Sequence, residues 1–203
     1  MKRFTLFVVL ALLIIAAGVL HFSPALFGQA TGNWTTLFNG TSLNGWNRLR
    51  DANWTLVDGA VQATQGGGFL VAPGSYTDFD LRVEFWVNSD ANSGVFIRCQ
   101  NPQDVADTSC YEVNIYDKRP DPAYRTGGIV DIAKPLAQVN AGEKWNTFEI
   151  SARGTHITVA LNGTRTIDIN DSKHARGSIA LQYGAGATGP GIVKFRKVEI
   201  RTQ

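Results

Sequence analysis

Asp80-Leu81-Arg82-Val83-Glu84-Phe85-Trp86-Val87 decides the fold class. Leu81, Val83, Phe85 and Val87 alternate with Asp80, Arg82, Glu84 and Trp86. A period of two puts the two sets on opposite faces of an extended chain, so this is a strand with one buried face. Working outward, the same period recurs in Tyr111-Glu112-Val113-Asn114-Ile115-Tyr116, in Thr147 to Ala152 and in His156 to Leu161. Gly, Asn, Asp or Pro bounds each run, as strands require. Leu161-Asn162-Gly163-Thr164-Arg165 is a hairpin signal, because Asn-Gly accepts the positive φ of a primed turn. Ser178 to Gln182 and Ile192 to Arg201 supply late strands. No amphipathic run of ten or more residues follows residue 30. The pattern predicts an all-β chain, an antiparallel β-sandwich or jelly roll.

The 203 residues suffice for one such domain and are too few for two ordinary ones. A hydrophobic share of 44% and a charged share of 18% argue against disorder. Before Thr31 the only charges are Lys2 and Arg3, and Phe4 to Leu20 carries none. This segment reads as a secretory signal with cleavage after Ala30, where Gly28-Gln29-Ala30 supplies small residues. An uncleaved membrane anchor helix is the alternative, and it alone would bring a membrane into the account. The domain division expected is therefore 1–30 as signal or anchor and 31–203 as a single jelly roll. Without Lys2 and Arg3, the 19 basic residues fall level with the 17 acidic ones. A near-neutral mature chain disfavours a nucleic-acid partner, which needs a basic face. The expected location is the periplasm, the cell envelope or the exterior.

Cys99 and Cys110 flank the loop from Gln100 to Ser109. In an exported chain this spacing favours a disulfide over two buried thiols. Two cysteines without a neighbouring histidine do not complete a zinc site.

The alternation also assigns faces. Phe96, Arg98 and Gln100 oppose Val95, Ile97 and Cys99, while Glu112, Asn114 and Tyr116 oppose Tyr111, Val113 and Ile115. If the apolar rows share one core, then Arg82, Glu84, Trp86, Arg98, Glu112, Asn114 and Tyr116 gather on the opposite face. Rings that stack on the C–H face of a sugar and groups that bond paired hydroxyls would suit a carbohydrate there. A solvated sheet face with cross-strand ion pairs carries the same residues.

These residues also carry a family resemblance. Leu37-Phe38-Asn39-Gly40 with Leu43-Asn44-Gly45-Trp46 resembles an opening "LFNG…L.GW". Asp78 to Phe85 is similar to "DFELRVEW", Asn92 to Arg98 to "NSGIFLR", and Tyr111 to Asp117 to "YEVQILD". Trp145 to Ile150 resembles "WNTYEI", and the end from Gly177 to Ile200 resembles "GPIGLQ…FRNIRI". In this order the motifs are those of the 3-keto-disaccharide hydrolase family, also described as 3-keto-glucoside lyases and hydratases. The resemblance covers about residues 34–203 and implies a concanavalin- or laminin-G-like jelly roll.

It further implies an exported hydrolase or lyase acting on glycosides already oxidised to a ketone at C3. The ketone acidifies the proton at C2; a base removes it, the C1 substituent leaves and water adds. Such chemistry needs a base near C2 and a donor on the ketone oxygen. Carried onto matching positions, the resemblance makes Glu112 the base or a metal-binding carboxylate, and Arg98 the clamp on the ketone or enolate oxygen. Glu84, Trp86, Asn114, Tyr116, Asp117, Gln182 and Tyr183 are the expected substrate contacts. The chain has no dinucleotide fingerprint, and no cofactor is identified; a divalent metal stays open as an alternative, without a ligand set in the sequence to support it. Two departures bear on the activity. Leu181-Gln182 is followed by Tyr183-Gly184-Ala185-Gly186, where the family has "DHG", and Gly127-Gly128-Ile129-Val130 stands in place of "GALY". None of His21, His156 and His174 takes the missing position. The "ExDxxE" cluster of two-carboxylate glycanases is absent, which disfavours direct hydrolysis by that route. A non-catalytic carbohydrate-binding jelly roll therefore stands beside the enzyme as an expectation, with an oligosaccharide or glycoside as ligand in either case.

Overall fold

The computed structural model describes residues 32–184, 186 and 189–202. The expected signal or anchor lies outside the described residues. The strands are β1 (Thr35–Phe38), β2 (Asn47–Arg50), β3 (Thr55–Val57), β4 (Ala60–Ala63), β5 (Gly68–Val71), β6 (Phe79–Val87), β7 (Ser93–Cys99), β8 (Tyr111–Ile115), β9 (Lys144–Arg153), β10 (His156–Leu161), β11 (Thr164–Asn170), β12 (Ser178–Tyr183) and β13 (Val193–Thr202). They form two antiparallel sheets. Eight strands make the first in the order β11-β10-β9-β6-β13-β4-β3, with β1 added on β13; five make the second in the order β2-β5-β12-β7-β8. Among the described residues the helical content is one 3₁₀ turn at Pro122–Tyr124. The expected all-β jelly roll is the observed one.

Alternation builds the core between the sheets. Leu81, Val83, Phe85 and Val87 of β6 pack with Val95 and Ile97 of β7 and with Tyr111, Val113 and Ile115 of β8 in one buried cluster. The hairpin at Asn162-Gly163 has φ values of 51° and 80°, the primed-turn geometry its sequence demands.

One inference from alternation fails here. The apolar rows do share a core, but they approach it from opposite sides, because β6 belongs to the larger sheet and β7 and β8 to the smaller. Arg82, Glu84 and Trp86 therefore point out of one outer surface, and Glu112 and Asn114, both buried by the loops over them, out of the other.

A bulge in β7 alters the pattern further. Ala180 lies opposite Phe96 and Ser178 opposite Cys99, so one extra residue enters β7 between them. Arg98 absorbs it at φ 52°. The bulge carries Cys99 onto the outer side, where it packs with Phe69, Val71, Phe96, Val105, Cys110 and Ala180. Cys99 and Cys110 are joined as a disulfide. The bridge draws the loop 100–109 back over the smaller sheet, and Val105 is its buried plug, 1% exposed.

Candidate functional site

The outer face of the smaller sheet is an apolar shelf with one carboxyl set into it. Val71 of β5 lies opposite Ala180 of β12, Ala180 opposite Phe96 of β7, and Phe96 opposite Glu112 of β8. The rings of Phe69 and Phe96 meet edge to face at 5.2 Å. Gly94 is the neighbour of Asn114 in the ladder, and a Cβ there would stand 3.0 Å from Glu112 Oε1 and 3.1 Å from its Cγ. The glycine thus leaves room for the glutamate to lean across the sheet.

Glu112 is 9% exposed, and among the described residues no hydrogen bond or ion pair holds its carboxyl. Burial, reinforced by Asp107 of the disulfide loop and by Asp131, pushes its pKa up to about 8; Arg119 acts in the opposite direction. An unpaired, buried carboxyl in an apolar setting can exchange its proton near neutral pH.

Further along β8 the side-chain amide of Asn114 donates to the Tyr124 carbonyl and fastens the loop that follows. That loop runs back along the free edge of β8, where Val130 N–H donates to the Glu112 carbonyl at 3.1 Å and Asn114 N–H to the Gly128 carbonyl at 2.9 Å. The altered Gly127 to Val130 segment therefore covers an edge strand that would otherwise be open. Tyr116, Arg119, Pro120, Asp121 and Tyr124 then wall a cavity of about 530 Å³ that also includes Asn92. The Arg119 guanidinium lies 5.8 Å from the Tyr116 ring and 5.7 Å from the Tyr124 ring. Gln182 shares the outer face opposite Phe69, and its Oε1 is buried with no partner among the described residues.

The other expected site residues are engaged elsewhere. Arg98 is 1% exposed and points to the edge of the sandwich. It donates to the Thr77 carbonyl at 2.9 and 2.6 Å, to Gly154 at 2.8 Å, to His174 at 3.2 Å and to Asp78 at 3.3 Å. It is a structural clamp across three chain segments, not a clamp on an enolate. Asp117 accepts from Thr126 Oγ1 at 2.5 Å and from the amides of Ala141 and Gly142 at 2.8 Å each, so it anchors two loops and has no free face for a ligand. Tyr183 points into the core, packs on Trp54 and donates to the Gly191 carbonyl at 3.0 Å; burial raises its pKa, which removes it as a proton donor to substrate. Glu84 and Trp86 occupy the outer face of the larger sheet, across the core from Glu112, where Glu84 accepts from Arg196 at 2.5 Å. Glu112, Asn114, Tyr116 and Gln182 remain with the smaller sheet.

Sequence reasoning missed Arg119, Asp107, Asp131 and Phe69. The Lys118-Arg119-Pro120-Asp121 run after β8 was the available signal for the first. Asp107 reaches the site only because the disulfide folds its loop over the sheet. Neither histidine of the described chain stands at the site: His156 pairs with Asp168 at 2.8 Å on the larger sheet, and His174 is 2% exposed against Tyr111. Among the described residues no group of three His, Cys, Asp or Glu side chains is placed to hold a metal ion.

The fold and this partly roofed face define an antiparallel jelly-roll domain. The chain belongs to the 3-keto-alpha-glucoside-1,2-lyase-like domain family, whose profile matches residues 33–201. No functionally curated protein matches the sequence. Among solved structures, a candidate glycosyl hydrolase from Parabacteroides distasonis is similar at 23% identity and a TM-score of 0.71, over 84% of this chain and 100% of that one. A second from the same organism is similar at 18% identity and 0.71, over 84% and 94%. A carbohydrate-binding module from Bacillus subtilis is similar at 17% identity and 0.61, over 78% and 96%. At these identities the likeness speaks for the fold.

Proposed function

We propose that the protein is an exported enzyme that cleaves glycosides carrying a ketone at C3. Glu112 takes the C2 proton, the electrons of that C–H bond form an enolate onto the C3 oxygen, and the C1–O bond then breaks. The departing oxygen gains a proton, and water adds across the resulting double bond. The observation that carries this reading is the unpaired Glu112 carboxyl on an apolar shelf, with its pKa pushed up to about 8. A carboxylate in water is a weak base; one with its pKa near working pH is far better matched to a C2 proton already acidified by a ketone. Arg119, the cation that acts on Glu112, takes the place expected of Arg98 in offsetting enolate charge. Gln182, Asn114 and Tyr116 line the face beside it for the sugar. The disulfide supports an oxidising destination for the chain.

The test is a panel of 3-keto-glycosides beside their unoxidised parents, with and without divalent metal. Turnover of the keto series alone is expected. Glu112→Gln keeps the shape and removes basicity, so it should lower turnover by about 10²-fold or more while binding persists. Wild-type turnover in Glu112→Gln would remove Glu112 from the mechanism. A second reading, a carbohydrate-binding module without turnover, is favoured by one observation: the arginine expected to stabilise the enolate is committed to the scaffold. Glycan binding at this face with no turnover of any keto-glycoside would establish it. For export, the intact mass of the secreted chain is expected to begin near Thr31.

A further inference from the structure

Three indoles stay out of the core, Trp34, Trp86 and Trp145, and the last two stand side by side on the opposite surface. Trp86 of β6 is the direct ladder partner of Trp145 of β9, so both rings rise from the outer face of the larger sheet. Trp145 is 38% exposed, whereas Trp46 and Trp54 are buried. The row continues across the sheet: Lys194 of β13 is the partner of Trp86, Gln62 of β4 the partner of Lys194, and Thr55 of β3 the partner of Gln62. Five strands at their usual spacing make this row about 19 Å long. A bulge between Phe195 and Lys197 places Arg196 on the same face, 4.2 Å from the Trp145 ring, where Glu84 fixes it at 2.5 Å. Lys194 Nζ lies 5.3 Å from the Trp86 ring, and among the described residues no carboxylate pairs with it.

We propose that this row is a second binding surface, separate from the Glu112 face, for a linear acidic polysaccharide lying across the strands. Two neighbouring indoles on a flat sheet offer stacking area to successive pyranose rings. Lys194, the cation of this row without a carboxylate among the described residues, matches a carboxylate carried by the sugars, and Gln62 and Thr55 offer hydroxyl partners beyond it. Charge complementarity selects an acidic chain over a neutral one. The surface is independent of the chemistry at Glu112; it would hold the protein on its polymer whatever that site turns over.

The experiment is affinity electrophoresis of the purified chain through gels containing polygalacturonate or neutral xylan, at low and at near-physiological salt. Retardation by polygalacturonate and not by xylan is expected, weakening as salt rises. Trp145→Ala should weaken it about tenfold and Lys194→Gln should flatten the salt dependence, while Trp145→Tyr retains most of the binding. Trp145 is exposed, and an unchanged urea midpoint confirms that its variants fold. Glu112→Gln should bind polygalacturonate as the wild type does. Equal retardation by xylan, undiminished binding in the Trp145→Ala and Lys194→Gln double variant, or loss of binding in Glu112→Gln would each overturn the proposal. So would binding to phosphatidylglycerol vesicles in place of polygalacturonate, which would make this a membrane-facing sheet.

Discussion

The sandwich has two sheets, and each carries an arginine at a β-bulge. In β7 the extra residue is Arg98, turned inward at the edge and surrounded by carbonyls. In β13 it is Arg196, turned outward over Trp145. The faces differ in the same sense. On the larger sheet the charges are matched across strands: Arg82 with Glu149, Arg153 and Arg201 with Asp80, Arg196 with Glu84. On the smaller sheet an apolar shelf is roofed by a disulfide loop, and its central carboxyl has no partner among the described residues. Paired charges on an open sheet hold each other; an unpaired carboxyl under a roof costs stability and is available to a ligand. The comparison teaches that the titratable group left free stands where polar groups are fewest.

The sharpest way to break this comparison is through Arg98. Were it an enolate clamp, Arg98→Met would abolish turnover and leave the fold intact. The structure leads to the opposite expectation. Removing the guanidinium strips the donors from three carbonyls at a buried edge, so stability should fall by about 3–5 kcal/mol. The folded fraction, assayed at low temperature, should still turn over or bind its sugar. Urea midpoints beside ligand titration decide between the two.

The disulfide is the next lever. Reduction, or Cys99→Ser with Cys110→Ser, releases a loop of 10 residues between the cysteines and should cost about 3 kcal/mol. It should also loosen Val105 and Asp107 above Glu112. With burial and a neighbouring charge both relaxed, the Glu112 pKa moves back toward its ordinary value. A reduced protein whose Glu112 titrates unchanged would show that the roof has no part in tuning the site.

Much of the fold could be read from residues alone. Leu81 to Val87 announces inside and outside by alternation, and Asn162-Gly163 announces its turn. The site was only half legible. Alternation sorts each strand into two faces but carries no information about which sheet a strand joins, and that is a matter of long-range pairing. Glu84 and Glu112 look alike in sequence, each flanked by apolar neighbours, yet they lie on opposite surfaces. Arg98 was misplaced for a different reason: a bulge adds one residue and shifts every face beyond it. The role of Asp107 depends on a covalent closure whose direction over the sheet no local pattern encodes.

Titration sharpens the comparison from the side of the carboxyl itself. The Glu112 carboxyl binds its proton up to about pH 8 when folded, against an ordinary 4.5. Between those values the folded state holds more protons than the unfolded one, so stability falls as pH rises through that window. Glu112→Gln should remove the decline. His174 acts on the other side, since burial lowers its pKa and its contribution is lost as pH falls below 6.5. For turnover, the ionised base grows about tenfold per pH unit below its pKa. The kcat/KM profile should therefore rise with a midpoint near 8; a fall there would make Glu112 the acid that serves the leaving oxygen.

The smallest expected effect belongs to Glu84, the residue most like Glu112 in its sequence setting. Its partner Arg196 is 45% exposed at the side chain and Glu84 itself 28%. A pair so open to solvent contributes under about 1 kcal/mol, because water screens it and two side chains must be ordered to make it. Glu84→Gln should accordingly leave the urea midpoint nearly unmoved and turnover of a 3-keto-glycoside unchanged. It also takes a carboxylate off the Trp145 surface and leaves Arg196 unpaired, so retention by polygalacturonate should strengthen by about twofold. The two readouts separate the faces. A loss of turnover beyond tenfold with polymer binding intact would mean that Glu84 serves the chemistry from across the core, and the division between a paired face and a working face would fail.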